Sequence, residues 1–387
     1  MQPIDVFFFL WAASLIFFMK AGFIALEVGQ FGARSVGYHS SLKMVDLAAA
    51  ILAYTAVGYA IAYGRSGYDN PADTAWMLKM CMFAVASVTI VTGTVAERIK
   101  LVPYAVASLL LAGVAYPIVE HWAWGGGWLA NLGYHDFAGS GVVHTFGGVV
   151  GLVAAFVLGP RRDRFGADGK ARPMPGHNPL FSVMGAFILA FGWYGFNIGS
   201  AASADPTILV HAALTTTLAL AGGIMGGLLV SGGDPLYAAN GMCAGLVAVC
   251  AGADVLTPWG AALVGAVCGW QLPFTTKWVE KLRIDDVCAV TPVHAVSGLI
   301  GVVAAGLPFL VEPASGTAWL AQVAGAAAIT VFAGAVGFVL YKGLQLTLGL
   351  RVPEAHEALG MDRARNLAGY ADRLELDEGL ATVRANS

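Results

Sequence analysis

Long apolar stretches follow one another along almost the whole chain and are separated by short polar connections. About 20 mostly apolar residues are needed for a helix to cross roughly 30 Å of hydrocarbon. The pattern therefore predicts eleven membrane-spanning helices, at about residues 4–31, 40–63, 75–95, 101–120, 139–159, 179–199, 207–230, 236–253, 258–276, 289–310 and 318–348. We predict an all-α integral membrane protein with a transmembrane domain over residues 1–350 and a polar tail over residues 351–387.

Composition agrees with a membrane protein. Of 387 residues, 58% are hydrophobic and only 12% are charged, whereas a soluble domain carries about 25% charged residues. The 50 glycines suit helices whose backbones approach closely in lipid. A net charge of -3 does not favour nucleic acid, and the five cysteines lack CxxC spacing. We therefore expect buried thiols, and no metal, cofactor, catalytic centre or nucleic-acid partner.

The basic residues between the predicted spans are distributed unevenly. With eleven spans the two termini lie on opposite sides, and one side then holds Arg65 alone. The other side holds the remaining basic residues of the connections, which are Arg34, Lys43, Arg98, Lys100, Arg161, Arg162, Arg164, Lys170, Arg172, Lys277, Lys281 and Arg283. Because basic connections stay in the cytoplasm, we predict a multi-pass protein of the plasma (inner) membrane, with its N-terminus outside and its C-terminus cytoplasmic.

One short motif occurs twice. Asp136 stands eight residues before the Val-His pair that ends in His144, and Asp286 stands eight residues before the equivalent His294. The copies are 150 residues apart and open the fifth and tenth predicted spans. They predict two inverted five-helix repeats, at about residues 1–160 and 178–310, plus an eleventh helix. Transporters built in this way place their pathway between the repeats, near the bilayer midplane.

The two histidines are the strongest candidates for functional chemistry. His144 and His294 each lie several residues inside an apolar span, where an ionisable side chain is costly and commonly faces a cavity or a partner. A neutral imidazole can donate and accept a hydrogen bond at once, and it takes up a proton near neutral pH. The alternative interpretation is two neutral histidines, each bonded to one backbone carbonyl.

Other polar residues near the spans have two interpretations each. Asp136 and Asp286 can cap the helices that follow them, and Asp136 can also stabilise a cation near an entrance. Trp124 is either an interfacial anchor or a cation-binding ring. Lys20 lies inside the first span with Glu27 two turns later on the same face, so each neutralises the other or a third group.

Several stretches resemble the ammonium transporter (Amt) branch of the Amt/Rh superfamily over nearly the whole chain. The stretches are AERI at 96–99, WGGG at 124–127, DFAG at 136–139, VVH at 142–144, FGWYGFNIGS at 191–200, NGMCAGLVA at 240–248, IDDVC at 284–288 and VH at 293–294. The resemblance implies a homotrimer in lipid, with a hydrophobic pore for ammonium or ammonia, and for methylammonium as an analogue, in each subunit. It also implies a role in nitrogen uptake.

The resemblance assigns roles by motif position. Trp124, Phe83 and Ser200 resemble the external ammonium recruitment site, which is a cation–π site, and Asp136 resembles the acid near that site. Phe83 and Phe196 resemble the stacked gate of the family. His144 and His294 resemble its twin-His pair.

The chain departs from the family pattern at several positions. Lys79 stands one turn before Phe83, where a second aromatic residue is common, and a cation there opposes ammonium recruitment unless it extends outward to water. Ala289 replaces a common acid, and Pro292 either occupies the first turn of the tenth span or bends it. The tail follows the family's cytoplasmic ending only loosely, which weakens the expectation of a PII-type regulator on the cytoplasmic face.

Three other functions compete with transport. An Amt-like receptor domain would bind ammonium and signal to a partner with little or no flux, and Lys79 and the altered tail are compatible with it. A neutral-gas channel of the Rhesus type fits Trp124 and the stretch ending at Ser200 less well. A membrane hydrolase is disfavoured because the sequence has neither HExxH-like spacing nor an activated nucleophile.

Overall fold

A computed structural model describes residues 2–313 and 316–365, and all regular structure in that part of the chain is helical. In the described residues nine helical segments are long and apolar enough to span a bilayer, and two further helices, the ninth and the shorter tenth along the chain, bring the number to the eleven predicted. The helices are α1 Pro3–Val28, α2 Ala33–Tyr63, α3 Pro71–Val95, α4 Leu101–Asn131, α5 Ser140–Leu158, α6 Pro179–Ile198, α7 Pro206–Ser231, α8 Pro235–Gly252, α9 Pro258–Lys281, α10 Thr291–Ala304 and α11 Trp319–Thr347. Two short helices follow, α12 Glu354–Leu359 and α13 Met361–Ala364.

Each predicted span corresponds to one helix, but several ends differ from the hydropathy pattern. Helix α3 begins at Pro71, because the Asn70 side chain accepts hydrogen bonds from the first free N–H groups of the helix. Helix α9 continues to Lys281, beyond the predicted end at residue 276, while α10 is shorter than expected. The predicted tail is described only to Arg365, so the rest of it lies outside the described residues.

The basic face of the molecule gathers every second connection. The Arg98 side chain donates to the Gly159 carbonyl at 2.8 Å and to the Asp285 carbonyl at 2.8 Å. The backbone N–H of Lys100 donates to Leu350 at 2.8 Å. Similar bonds join the connections that follow α1, α3, α5, α9 and α11. These connections therefore lie on the same side of the bundle.

The opposite face gathers the N-terminus and the remaining connections. The Ala204 N–H donates to the Asp5 carboxylate at 3.0 Å, and His135 contacts Asp254 at 2.9 Å. The Thr257 N–H donates to the Leu310 carbonyl at 2.8 Å. The chain therefore alternates between two faces, and an odd number of crossings separates α5 from α10. These two helices run in opposite directions, as the inverted repeat requires, while the bounds of its halves, 1–160 and 178–310, stay a prediction.

Small residues let the helices approach one another closely. A Cβ atom added at Gly22 in α1 would lie 2.8 Å from the backbone nitrogen of Leu189 in α6. Such a distance leaves no room for a side chain, so glycine is required there. The five cysteines are all buried free thiols, as expected from their apolar surroundings.

A buried ionic cluster ties the connections of the basic face together. The carboxylate of Asp285, only 1% exposed, accepts hydrogen bonds from Arg161 at 2.8 Å and from Arg164 at 3.2 Å. Arg161 also pairs with Glu97 at 2.7 Å. Burial would raise the pKa of Asp285, but the Arg98 charge and the Arg161 hydrogen bonds outweigh it and hold that pKa well below its usual range.

Lys20 in α1 is buried and forms an ion pair with Asp46 in α2. Its ammonium also donates to the Thr89 hydroxyl in α3 at 2.5 Å, and the Tyr104 hydroxyl donates to Asp46 at 2.9 Å. Of the two partners suggested by the sequence, Glu27 or a third group, the structure therefore selects the third group. Four helices are joined by this one set of polar contacts.

Glu27 has cationic partners of its own. Lys43 donates to its carboxylate at 2.5 Å, His39 lies 2.7 Å from the other oxygen, and Thr92 donates at 2.9 Å. Lys43 also donates to the Thr89 carbonyl at 2.9 Å, which connects this group with the Lys20 pair. Lys43 is therefore buried inside the bundle, within α2, and does not belong to the connections with which the sequence grouped it.

We expect Asp285→Asn to reduce the free energy of unfolding by about 3–5 kcal/mol, because it leaves buried arginines without their counter-charge. Thermal unfolding of the purified protein in detergent measures this. The control is Asp163→Asn, whose side chain is 73% exposed. Equal melting temperatures for the two variants would show that the Asp285 cluster does not stabilise the fold.

Candidate functional site

Both predicted histidines lie in a widened turn at the beginning of a helix. Residues Ser140–Thr145 in α5 and Thr291–Val296 in α10 are π-helical and include His144 and His294. Such turns add a residue to the helical repeat and occur often at functional sites. Pro292 lies in the first turn of its segment, where it needs no N–H partner.

Aspartate carboxylates hold the starts of these two helices. Asp136 accepts hydrogen bonds from the N–H groups of Gly141 and Val142, each at 2.9 Å. Asp286 accepts from Val290 at 3.0 Å and from Thr291 at 2.6 Å. Both carboxylates therefore cap their helices. Burial raises the pKa of Asp136, although its bonds to backbone N–H groups oppose the rise.

The capped starts bring the two imidazoles into contact. His144 Nδ1 lies 3.2 Å from His294 Nδ1, and the ring centroids are 5.3 Å apart at an angle of 24°. His144 is fully buried and His294 is 5% exposed. Residues 150 positions apart, from helices of opposite direction, thus meet inside the bundle.

The contact between two Nδ1 atoms restricts the tautomers of the rings. In a neutral pair one Nδ1 carries the hydrogen and the other accepts it, so one Nε2 is an acceptor and the other is a donor. His144 Nε2 is buried and has no hydrogen-bond partner. The pair can therefore offer both a donor and an acceptor to a small polar molecule.

Two phenylalanines lie between the histidines and the opposite face. The rings of Phe83 and Phe196 stack with centroids 4.3 Å apart at 26°. Phe196 lies 5.4 Å from the His144 ring, again between centroids. Both phenylalanines are buried, so the stacked pair and the His144 imidazole form one continuous group of rings inside the bundle.

A cavity of about 310 Å³, here named the outer cavity, lies on the other side of Phe83. Its lining includes Trp124, Ser200 and Lys79. The Trp124 ring meets Phe83 edge-on at 5.8 Å, and the Ser200 hydroxyl donates to the Phe196 carbonyl at 2.9 Å. The residues that the family resemblance assigns to recruitment and to the gate therefore adjoin one another.

Asp136 does not line the outer cavity, and its carboxylate is occupied by backbone N–H groups. Its carbonyl oxygen accepts a hydrogen bond from Trp124 Nε1 at 2.7 Å. Asp136 thus positions the tryptophan and the helix that carries His144. Of its two interpretations, the capping one has direct contacts in the structure.

A second cavity of about 400 Å³ opens at the basic face, beside the start of α10. Gln30, Asn240, Asp286 and Ala289 are among its lining residues. Asp286 and Ala289 of this lining directly precede α10, which carries His294, and the Phe23 ring centroid lies 6.1 Å from the His294 imidazole. The two cavities, the phenylalanine pair and the histidine pair therefore form one series across the bundle.

Two residues beside this series escaped the sequence analysis. Trp193 stacks on His144 with centroids 5.3 Å apart at 22°, and it lies one turn before Phe196. Glu120 is fully buried and accepts hydrogen bonds from Tyr54 at 2.8 Å and from Tyr63 at 3.0 Å. Glu120 could have been found from the sequence, because it lies in the predicted span 101–120 and an acidic residue within a membrane span is a candidate functional residue.

Comparison with known proteins defines the class. The model of the Ammonium Transporter Family matches residues 6–368. The chain therefore belongs to this family, which consists of membrane transporters and not of enzymes, and ammonium transport is its class of function.

Two ammonium transporters are similar in sequence to this chain over most of their length. The chain is 58% identical to ammonium transporter Amt1 of Methanocaldococcus jannaschii, over 94% of this chain and 96% of the relative. It is 33% identical to the ammonium transporter of Bacillus subtilis, over 94% of this chain and 97% of the relative.

Solved structures share the fold. A sensor Amt protein matches with a TM-score of 0.88 and 27% identity, over 94% of this chain and 98% of that one. Mep2 of Candida albicans matches with a TM-score of 0.83 and 26% identity, over 96% and 91%.

The two helix starts suggest a matched pair of substitutions. Gly139 and Ala289 are equivalent in the repeat, and both have positive φ, +96° and +53°. Alanine is strained in this region whereas glycine is not. We expect Ala289→Gly to increase the free energy of unfolding by about 0.5–1 kcal/mol.

Gly139→Ala serves as the counterpart in the same denaturation experiment. Its added Cβ would lie 2.6 Å from Val143, so we expect a loss of about 2 kcal/mol or more. If Ala289→Gly also destabilised the protein, the strain assigned to Ala289 would be refuted.

Proposed function

We propose that this protein moves ammonium nitrogen across the membrane through the series formed by the outer cavity, the phenylalanine pair and the histidine pair. Trp124, Phe83 and Ser200 form the external cation–π recruitment site, and Asp136 supports it by positioning Trp124. Phe83 and Phe196 form the gate. The observation that carries this proposal is the 3.2 Å contact between His144 and His294 directly behind the stacked rings.

Electrostatics explains why such a series suits ammonium. Moving a bare ion into a low-dielectric interior costs tens of kcal/mol on a Born estimate. An aromatic face offsets about 2 kcal/mol of this cost when the ion is desolvated. Loss of a proton removes most of the remainder, so that neutral ammonia is the species that passes the phenylalanine pair. The proton is either left behind, on water in the outer cavity, or relayed across the membrane through His144 and His294.

The histidine pair provides selectivity beyond the gate. Ammonia accepts a hydrogen bond through its lone pair and donates through its N–H groups, which matches the donor and acceptor that two neutral imidazoles offer. A potassium ion can neither donate a hydrogen bond nor lose a proton. A potassium ion would therefore have to enter the low-dielectric pathway as a bare charge, with no reduction of the desolvation free energy, and it is excluded.

Orientation and assembly complete the proposal. We place the basic face in the cytoplasm, because Arg98, Lys100 and Arg161 lie there and basic connections are retained inside. The outer cavity then faces the exterior. Family membership supports a homotrimer with one pathway per subunit, and a PII-type regulator or a signalling partner would bind at the cytoplasmic face.

A second candidate function is ammonium sensing with little or no flux. It is favoured by the likeness to a sensor Amt protein, with a TM-score of 0.88, and by the cation Lys79 at the entrance. Purified protein in proteoliposomes separates the two functions. An ammonium-dependent current or uptake supports transport, and saturable binding without either supports sensing.

We expect His144→Ala and His294→Ala each to abolish ammonium flux or to admit potassium, because either change removes the paired donor and acceptor. Uptake and current in proteoliposomes, with ammonium and potassium in separate experiments, measure this. His177→Ala is the control, since that side chain is exposed at the basic face. Wild-type flux and potassium exclusion in both pore variants would refute the role of the pair.

The orientation is tested by labelling single introduced cysteines in intact cells. A membrane-impermeant maleimide should modify Asp69→Cys and should leave Lys170→Cys unmodified until the membrane is permeabilised. Both positions are exposed, and the five native thiols are buried, so the background is low. Labelling of Lys170→Cys in intact cells would reverse the assigned orientation.

A further inference from the structure

Lys79 does not extend outward to water. It lies in α3, one turn before Phe83, and only 1% of its surface is exposed. Its side chain contributes to the wall of the outer cavity together with Phe83, Trp124 and Ser200. A fixed ammonium group therefore adjoins the site where a free ammonium ion would be recruited.

The contacts of this group are those that an ammonium ion needs. Lys79 Nζ lies 3.5 Å from the ring centroid of Trp76 and 4.7 Å from that of Phe9. It donates a hydrogen bond to the Gly199 carbonyl at 3.1 Å, next to Ser200. Two aromatic faces and one carbonyl oxygen thus bind a cation that the chain itself supplies.

A buried carboxylate lies behind the wall of the outer cavity. Glu120 in α4 accepts hydrogen bonds from the Tyr54 and Tyr63 hydroxyls. Tyr63 also lines the outer cavity. The cation therefore faces the cavity while the anion lies behind a tyrosine.

We propose that Lys79 is a tethered ammonium ion, a side chain in the wall of the outer cavity whose charge lies beside the recruitment site and lowers its affinity for free ammonium. The inference rests on the proposed recruitment site and identifies the residue that sets its affinity. Two unit charges about 5 Å apart at an effective dielectric constant near 20 weaken binding on the order of a hundredfold. Free ammonium enters only against this repulsion, as does any other monovalent cation.

The test compares neutral and charged replacements of Lys79. Lys79→Met removes the charge and keeps the length, and Lys79→Arg keeps the charge. Equilibrium binding of ammonium chloride by calorimetry, and half-saturating concentrations for uptake, are measured for each purified protein. We expect at least a tenfold increase in affinity for Lys79→Met and less than a threefold change for Lys79→Arg. An unchanged affinity in Lys79→Met overturns the inference.

A double variant separates two causes of tighter binding. In Lys79→Met the Glu120 carboxylate could itself attract ammonium once the lysine charge is gone. The double variant Lys79→Met with Glu120→Gln carries neither charge. An affinity gain that persists in the double variant supports repulsion by Lys79, and a gain that disappears overturns it. Should Lys79→Met fail to fold, Lys79→Gln replaces it, because its amide can still donate to Gly199.

The outcome also distinguishes this inference from the proposed function. If wild-type protein binds ammonium without flux, transport fails while the binding comparison among the Lys79 variants still tests repulsion by Lys79. If wild-type protein transports and Lys79→Met binds no tighter, the pathway stands and the role of Lys79 is refuted.

Discussion

The hydrogen bonds from Asp136 and Asp286 to the backbone are the constraint on which the functional site depends. Each carboxylate receives the N–H groups at the start of a π-helical turn, and each turn carries one histidine. Since the helices run in opposite directions, their starts approach one another inside the bundle. The 3.2 Å imidazole contact follows from that geometry. A substitution at either aspartate would therefore disturb the pair without touching it.

A second constraint acts on the surrounding bundle, because charged side chains buried away from water need partners of opposite charge. The Lys20 and Lys43 ammonium groups share Thr89, and each has its own carboxylate, Asp46 or Glu27. This polar chain approaches the pathway at Phe23, whose ring lies 5.1 Å from Lys43 Nζ and 6.1 Å from the His294 ring. Charge is thus neutralised beside the pathway while its wall remains aromatic.

The lengths of the apolar stretches located the helices well, because a spanning helix needs about 20 mostly apolar residues and such a stretch can be recognised in the sequence. The repeated Asp-to-His spacing likewise predicted where the histidines meet. The sequence did not predict which residue would be the partner of each buried charged side chain. Glu27 is two turns from Lys20 in sequence, yet the neighbouring helix presents Asp46 to Lys20. Likewise, the direction of the Lys79 side chain depends on Trp76, Phe9 and Gly199, and only packing brings these three together.

Under the proposed function, selection along the pathway is divided between two chemically different places. At the outer cavity the chain supplies its own cation, so discrimination there acts on charge and treats all monovalent ions alike. At the histidine pair the available groups are one donor and one acceptor in an apolar wall, so discrimination acts on hydrogen bonding. Potassium and ammonium have the same charge and differ in hydrogen bonding. In the proposed function the entrance therefore sets how much ammonium is needed. Loss of a proton before the phenylalanine pair and hydrogen bonding at the histidine pair then distinguish ammonium nitrogen from potassium.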